Sequence, residues 1–115
     1  MTVNPDRHVD INALQDLKDI MEGEFKTLID TFIADSASKL DELAAVIGAG
    51  DAEALRKVAH SLKGSSSNIC AGELTELARQ LEFMGKEGSI TGAADVLSRL
   101  RGEFKTVAVI LQNHI

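Results

Sequence analysis

Hydrophobic residues recur at helical spacing along almost the whole chain, with glycine-bearing breaks between the runs. Ile11, Leu14, Leu17 and Met21 predict a short first helix over 11–21, and Asp10 just ahead of it suits an N-cap. Gly23 interrupts. The second run is the clearest: Phe25, Leu28, Ile29, Phe32, Ile33, Leu40, Leu43 and Ile47 trace one apolar stripe. It ends at "GAGD", where Gly48 and Gly50 suit a C-terminal cap and Asp51 suits the N-cap of the next helix. That third helix carries Leu55, Val58, Ala59, Leu62 and Ile69. A fourth begins near Ala71–Glu73, carries Leu74, Leu77, Ala78, Leu81 and Met84, and is broken by "GKEGS". The last helix runs from about Thr91 to the end, with Leu97, Leu100, Phe104, Val107 and Leu111 inward.

Four long amphipathic helices with short connections predict an all-α fold, an antiparallel up-down four-helix bundle. The short first helix then lies across one end as a lid. Residues 1–9 read as a flexible N-terminal segment and 10–115 as one domain.

Composition narrows the partners. The 115 residues are 44% hydrophobic and 26% charged, which suffices for one ordinary core. A net charge of -6 argues against nucleic acid, whose affinity comes from Lys and Arg neutralising phosphates, and against anionic membranes. No segment approaches the roughly 18 apolar residues of a membrane span, and the polar start MTVNPDRHVD is no signal peptide. The single cysteine, Cys70, cannot form an internal disulfide, and no Cys/His spacing fits zinc, so the expected setting is cytoplasmic. Protein partners are the class that remains, with a monomer as the expected state.

The candidate chemistry sits in "AHSLKGSSSN", residues 59–68. With about 100° per residue and Leu55 at zero, Val58, Ala59, Leu62, Ser66 and Ile69 fall within roughly 60° of the buried direction. His60 falls near 140°, Arg56 near 100°, Lys63 near 80°, Ser67 near 120° and Gly64 near 180°, by the same geometry. A histidine on a helix surface is usually only solvated. Here Gly64 weakens the helix by about 1 kcal/mol relative to Ala, and close approach of another surface is the usual reason for such a residue. Cations near an imidazole favour its neutral, nucleophilic form and would later face phosphoryl oxygens. His8 and His114 lack these neighbours and read as incidental.

The string "DAEALRKVAHSLKGSSSNICAGELTELARQLE", residues 51–82, resembles histidine-containing phosphotransfer (HPt) domains, whose pattern is roughly A-H-x-L-K-G-S-S/A followed by a Leu-Glu or Leu-Gln pair. Upstream, "INALQDLKDIMEGEFKTLIDTFIADSASKLDELAAVIGAGD" resembles the family's entry and second helices, so the likeness covers about residues 10–111. The resemblance implies that His60 is phosphorylated, that Lys63 lies beside the phosphoryl group, and that Gly64 lets a receiver domain approach. Glu82 matches the position that orients the imidazole, where many relatives carry Gln, and Cys70 stands where the family has a glycine. Arg56 and Ser67 complete the expected phosphate environment. Expected receiver-docking residues are Ile11, Leu14, Leu17 and Phe25 with Ser61, although stripes at helical spacing are as often core.

The implied role is a relay. Phosphate passes from the receiver aspartate of a hybrid sensor kinase to His60, then to a response-regulator aspartate. The receiver supplies Mg²⁺, and this chain needs no metal or other cofactor. No receiver domain, ATP-binding glycine motif or kinase histidine motif ending in Arg-Thr-Pro is present, so the chain reads as a stand-alone phosphocarrier and not a kinase. A different class of function is a non-phosphorylated helical adaptor that sequesters a receiver, but an adaptor needs no nucleophile. A hydrolase using Ser61, Ser65, Ser66 or Ser67 with His60 is disfavoured, since the sequence positions no carboxylate on the ring and a smooth helix offers no oxyanion pocket.

Overall fold

The computed structural model describes residues 7–115 and is all-helical over them. Five α-helices follow in order: α1 (Ile11–Met21), α2 (Phe25–Gly48), α3 (Ala52–Asn68), α4 (Gly72–Glu87) and α5 (Ala93–Gln112). The four long helices contact one another in a ring, α2 with α3, α3 with α4, α4 with α5 and α5 back with α2. Their apolar stripes meet in one core that includes Ile29, Leu43, Leu55, Leu62, Leu74, Leu81, Leu100 and Leu111, all at or below 1% exposure.

The caps act as the sequence indicates. The carboxylates of Asp10 and Asp51 accept the backbone N–H of Ala13 and Ala54, at 3.1 and 3.0 Å. After α2 the chain reverses through Gly50 at φ 70°, and the Asp51 N–H returns to the Val46 carbonyl at 3.0 Å. α3 ends the same way at Cys70, which holds φ 66° without being glycine, while the Ala71 N–H bonds the Ser66 carbonyl at 3.0 Å.

Three features refine the expected fold. "GKEGS" ends the fourth helix as the sequence indicates, at its second glycine. Gly85 lies inside α4 because α3 passes too close for any side chain: a Cβ there would meet the Arg56 backbone nitrogen at 2.6 Å and the Ala52 carbonyl oxygen at 2.7 Å. The break comes at Gly88, left-handed at φ 72°. Second, α2 buries Ser36 in its stripe at 1% exposure, and neither this hydroxyl nor that of Ser66 on α3 has a hydrogen-bond partner. Third, the expected free segment 1–9 lies outside the described residues at positions 1–6, and its end is anchored. Val9 is fully buried, the Asp10 N–H donates to the Cys70 carbonyl at 2.9 Å, and His8 Nδ1 meets Glu103 at 2.8 Å.

α1 is held at both ends. Leu14 inserts into the core, and Lys18 Nζ donates to the His114 carbonyl at 2.8 Å while lying 5.9 Å from the Phe25 ring centre. The helix stops at Glu22, whose φ of 51° is unusual for a residue with a side chain.

Candidate functional site

The site is assembled by the close packing of α3 against α4. Gly85 lets the two backbones touch at Ala52 and Arg56, and the turn of α4 before it then faces the turn of α3 after Arg56. Glu82 thereby comes level with His60 and Lys63. Its carboxylate is shared: Oε2 lies 2.6 Å from His60 Nδ1, and Oε1 lies 2.6 Å from Lys63 Nζ. The glutamate side chain is 19% exposed and the imidazole 64%, so the clamp is recessed and the ring projects.

This geometry fixes the ring's chemistry. An ionised carboxylate only accepts hydrogen bonds, so Nδ1 carries the hydrogen and donates it. The lone pair is then on Nε2, the nitrogen remote from Glu82. The Glu82 carboxyl is held below its ordinary range, first by the hydrogen bond from Lys63 and then by that from His60, against an opposing effect of burial. The acceptor on Nδ1 is therefore ionised at neutral pH.

The expected neighbours divide into three groups. Gly64 is exposed, and nothing lies within 4 Å of where its Cβ would be, so the helix surface one turn beyond the histidine is bare. Ser61 and Ser67 are exposed on either side of it. Arg56 does not face the ring freely: its guanidinium is held by Glu53 at 2.6 and 3.1 Å, and this pair lies on the surface. Of the four apolar docking candidates, Ile11 and Leu17 are half-buried, whereas Leu14 and Phe25 are core residues at 1% and 2% exposure and offer no surface. Their helical spacing is the spacing of a buried stripe, and the bundle uses it as one.

A shallow apolar groove instead runs between α2 and α3. Leu28 and Phe32 line one wall, Ser65, Asn68 and Ile69 the other. Ser65 lies one helical turn beyond Ser61 on the same face of α3.

Helical geometry alone places two cations beside the imidazole; the group in contact with the ring is the Glu82 carboxylate, at the position that the family resemblance gives to an imidazole-orienting residue. The lack of a positioned carboxylate, counted against a hydrolase, does not hold, since Glu82 is one. The hydrolase still lacks its nucleophile: Ser66 is buried, Ser65 Oγ bonds the Leu62 carbonyl at 3.2 Å, and no hydrogen bond joins a serine to His60 among the described residues. Gly85 was legible only as a helix-weakening residue three positions after Glu82, one turn away on the same face.

Among the described residues, no cluster of three or more His, Cys, Asp or Glu is placed to hold a metal, and no helix is long and apolar enough to cross a membrane.

A helical bundle that presents one oriented, solvent-facing imidazole beside a lysine and a bare glycine belongs to the class of histidine-presenting helical domains. The Hpt domain family matches residues 27–109, and the chain belongs to that family, the histidine phosphotransfer domains of phosphorelay signalling. Its fold is similar to the crystal structure of histidine-containing phosphotransfer protein B (HptB) from Pseudomonas aeruginosa PAO1, with a TM-score of 0.90 and 37% identity over 93% of each chain. Comparison with curated proteins gives no significant match.

Proposed function

We propose that this protein is a phosphoryl carrier that accepts phosphate on Nε2 of His60 from the receiver aspartate of a hybrid sensor kinase and passes it to a response-regulator receiver. The observation that supports this most is the clamp itself, with Nδ1 of an exposed imidazole held on Glu82 at 2.6 Å and Nε2 left outward. In the forward step the Nε2 lone pair attacks the aspartyl phosphorus in line. The P–N bond forms as the acyl P–O bond breaks, and the aspartate leaves as carboxylate. Charge spreads over the three equatorial oxygens, where Lys63 is the nearest cation of this chain and Arg56 and Ser67 border the space. Mg²⁺ belongs to the receiver.

Gly64 gives the receiver clearance at the phosphoryl group. Leu28, at the mouth of the groove between α2 and α3, with the exposed Ser61 and the half-buried Ile11 and Leu17, supplies contact on the α2 side. This reading takes the four long helices as the antiparallel up-down bundle that their short connections imply, with α1 as its lid. It also takes the protein as a cytoplasmic monomer without kinase activity of its own.

The test is transfer from a panel of separately phosphorylated receiver domains of the same genome. The expected result is loss of label from one receiver, its appearance on this chain, and its delivery to a second receiver. A receiver that binds tightly while keeping its phosphate would favour the adaptor reading instead.

A further inference from the structure

Glu82 makes two contacts, and a phosphoryl group on His60 would compete with it for one of them. In the free protein its carboxylate is divided between Nδ1 of His60 and the ammonium of Lys63, each at 2.6 Å. A phosphoryl group on Nε2 brings three anionic oxygens to the same edge of α3, and Lys63 lies one turn along that helix from His60. Lys63 is one-third exposed, and its flexible four-carbon stem can turn outward. The remaining charged neighbour is Arg56, which faces Glu82 electrostatically but is already bonded to Glu53. When Lys63 turns to the phosphoryl oxygens, Glu82 keeps a single partner, the Nδ1 proton.

Resting on the phosphocarrier reading above, we propose that Glu82 sets the lifetime of phosphorylated His60 by holding the proton on Nδ1 after Lys63 has moved from the carboxylate to the phosphoryl group. The chemistry is that of the leaving group. When the P–N bond breaks, its electron pair returns to Nε2 and the phosphoryl group goes to a receiver aspartate or to water. With the proton on Nδ1, the ring departs as neutral imidazole. Without it, the ring would have to depart as imidazolate, a far poorer leaving group. A carboxylate at position 82 stabilises the cationic phosphoimidazole, whereas an amide there could hydrogen-bond either state of Nδ1 and carries no charge to favour the protonated one. Glu82 is thus a positioning residue that also adjusts how readily the phosphate is surrendered.

The experiment labels the full chain with phosphoramidate, a small phosphoryl donor, removes the donor, and follows hydrolysis of the phosphohistidine from pH 5 to pH 9. Wild type and Glu82→Gln are compared, with circular dichroism to confirm equal folding. The expected result is equal half-lives at pH 5 and a half-life about tenfold longer for Glu82→Gln at pH 8 to 9. A purely structural role would shift the rates equally at every pH. Superimposed profiles, or a shorter half-life for the variant at pH 8, would overturn the proposal. A second readout needs no variant: ¹⁵N-histidine NMR of the phosphorylated wild type at pH 8 should show the Nδ1 proton retained, and a phospho-His60 spectrum matching that of the urea-unfolded chain would also overturn it. Failure of the wild type to take label at His60 would remove the phosphocarrier reading itself, and this proposal with it.

Discussion

The molecule contains two histidine–glutamate pairs, and they behave as opposites. His8 meets both carboxylate oxygens of Glu103, at 2.8 and 3.0 Å, with the two side chains only 15% and 9% exposed. His60 meets one oxygen of Glu82 at 2.6 Å, the other oxygen goes to Lys63, and its ring is 64% exposed. Both pairs use Nδ1, so contact with a carboxylate does not by itself make a reactive site. At position 8 the pair fastens the segment before α1 to α5, next to the buried Val9. At position 60 the recessed glutamate holds a ring that projects, beside a lysine and beside a glycine with nothing above it. The difference lies in what surrounds the second nitrogen.

The comparison breaks most sharply at Gly64. Gly64→Gln should abolish receiver binding in a titration while the helical signal is kept, and wild-type affinity would show that the bare surface has no docking role. Its companion, Gly64→Ala, should raise stability by up to about 1 kcal/mol from helix propensity, since a Cβ there meets nothing.

A smaller effect is expected at Lys63. Lys63→Gln should slow phosphoryl transfer about tenfold in timed assays, less than the loss of a fully buried oxyanion donor because the site is open to water. An unchanged rate would reduce Lys63 to a partner of Glu82. The clamp itself should resist acid. The Glu82 carboxyl is depressed, so its contribution is complete above the ordinary carboxylate range near the reference value of 4.5 and is lost only as pH falls through the lower folded value. An NMR titration should therefore find the Glu82 carboxyl ionised at pH 5, and protonation above the ordinary range would contradict the assigned contacts.

At the other pair the outcome should be purely structural. His8→Gln should lower stability by about 1 kcal/mol, because Glu103 is left poorly solvated, and should leave phosphate uptake unchanged. Loss of uptake would erase the distinction between the two histidines. The smallest change concerns the end of α1, where Glu22→Gly should stabilise by about 1 kcal/mol in a denaturant titration, since the side chain is exposed and φ is 51°.

The bundle was legible because its signals are local. Asp10 and Asp51 cap the helices they precede, and the stripes from Ile29 to Leu111 mark the buried faces. His60 was legible too, since rotation about one helix axis places it off the stripe. What could not be read were relations between helices. Gly85 resembles a helix terminator until α3 is seen pressed against it, and Leu14 and Phe25 resemble docking residues until the core closes over them. Glu82 was assigned to the ring only through the family pattern, and its simultaneous hold on Lys63 depends on the register of α3 against α4. The anchoring of the segment before α1 gave no periodic signal at all, because Asp10 bonds Cys70 and His8 meets Glu103 95 positions away.

The central claim is that one nitrogen of one histidine carries the phosphate, and the most direct measurement is to locate it. The protein is incubated with a phosphorylated receiver and Mg²⁺, and the bound phosphate is mapped by mass spectrometry and by ³¹P–¹⁵N correlation. The account predicts an acid-labile, alkali-stable phosphoryl group on Nε2 of His60, absent from a His60→Gln protein whose circular dichroism is unchanged. Wild-type labelling of His60→Gln, or phosphate found on His8 or a serine, would contradict it.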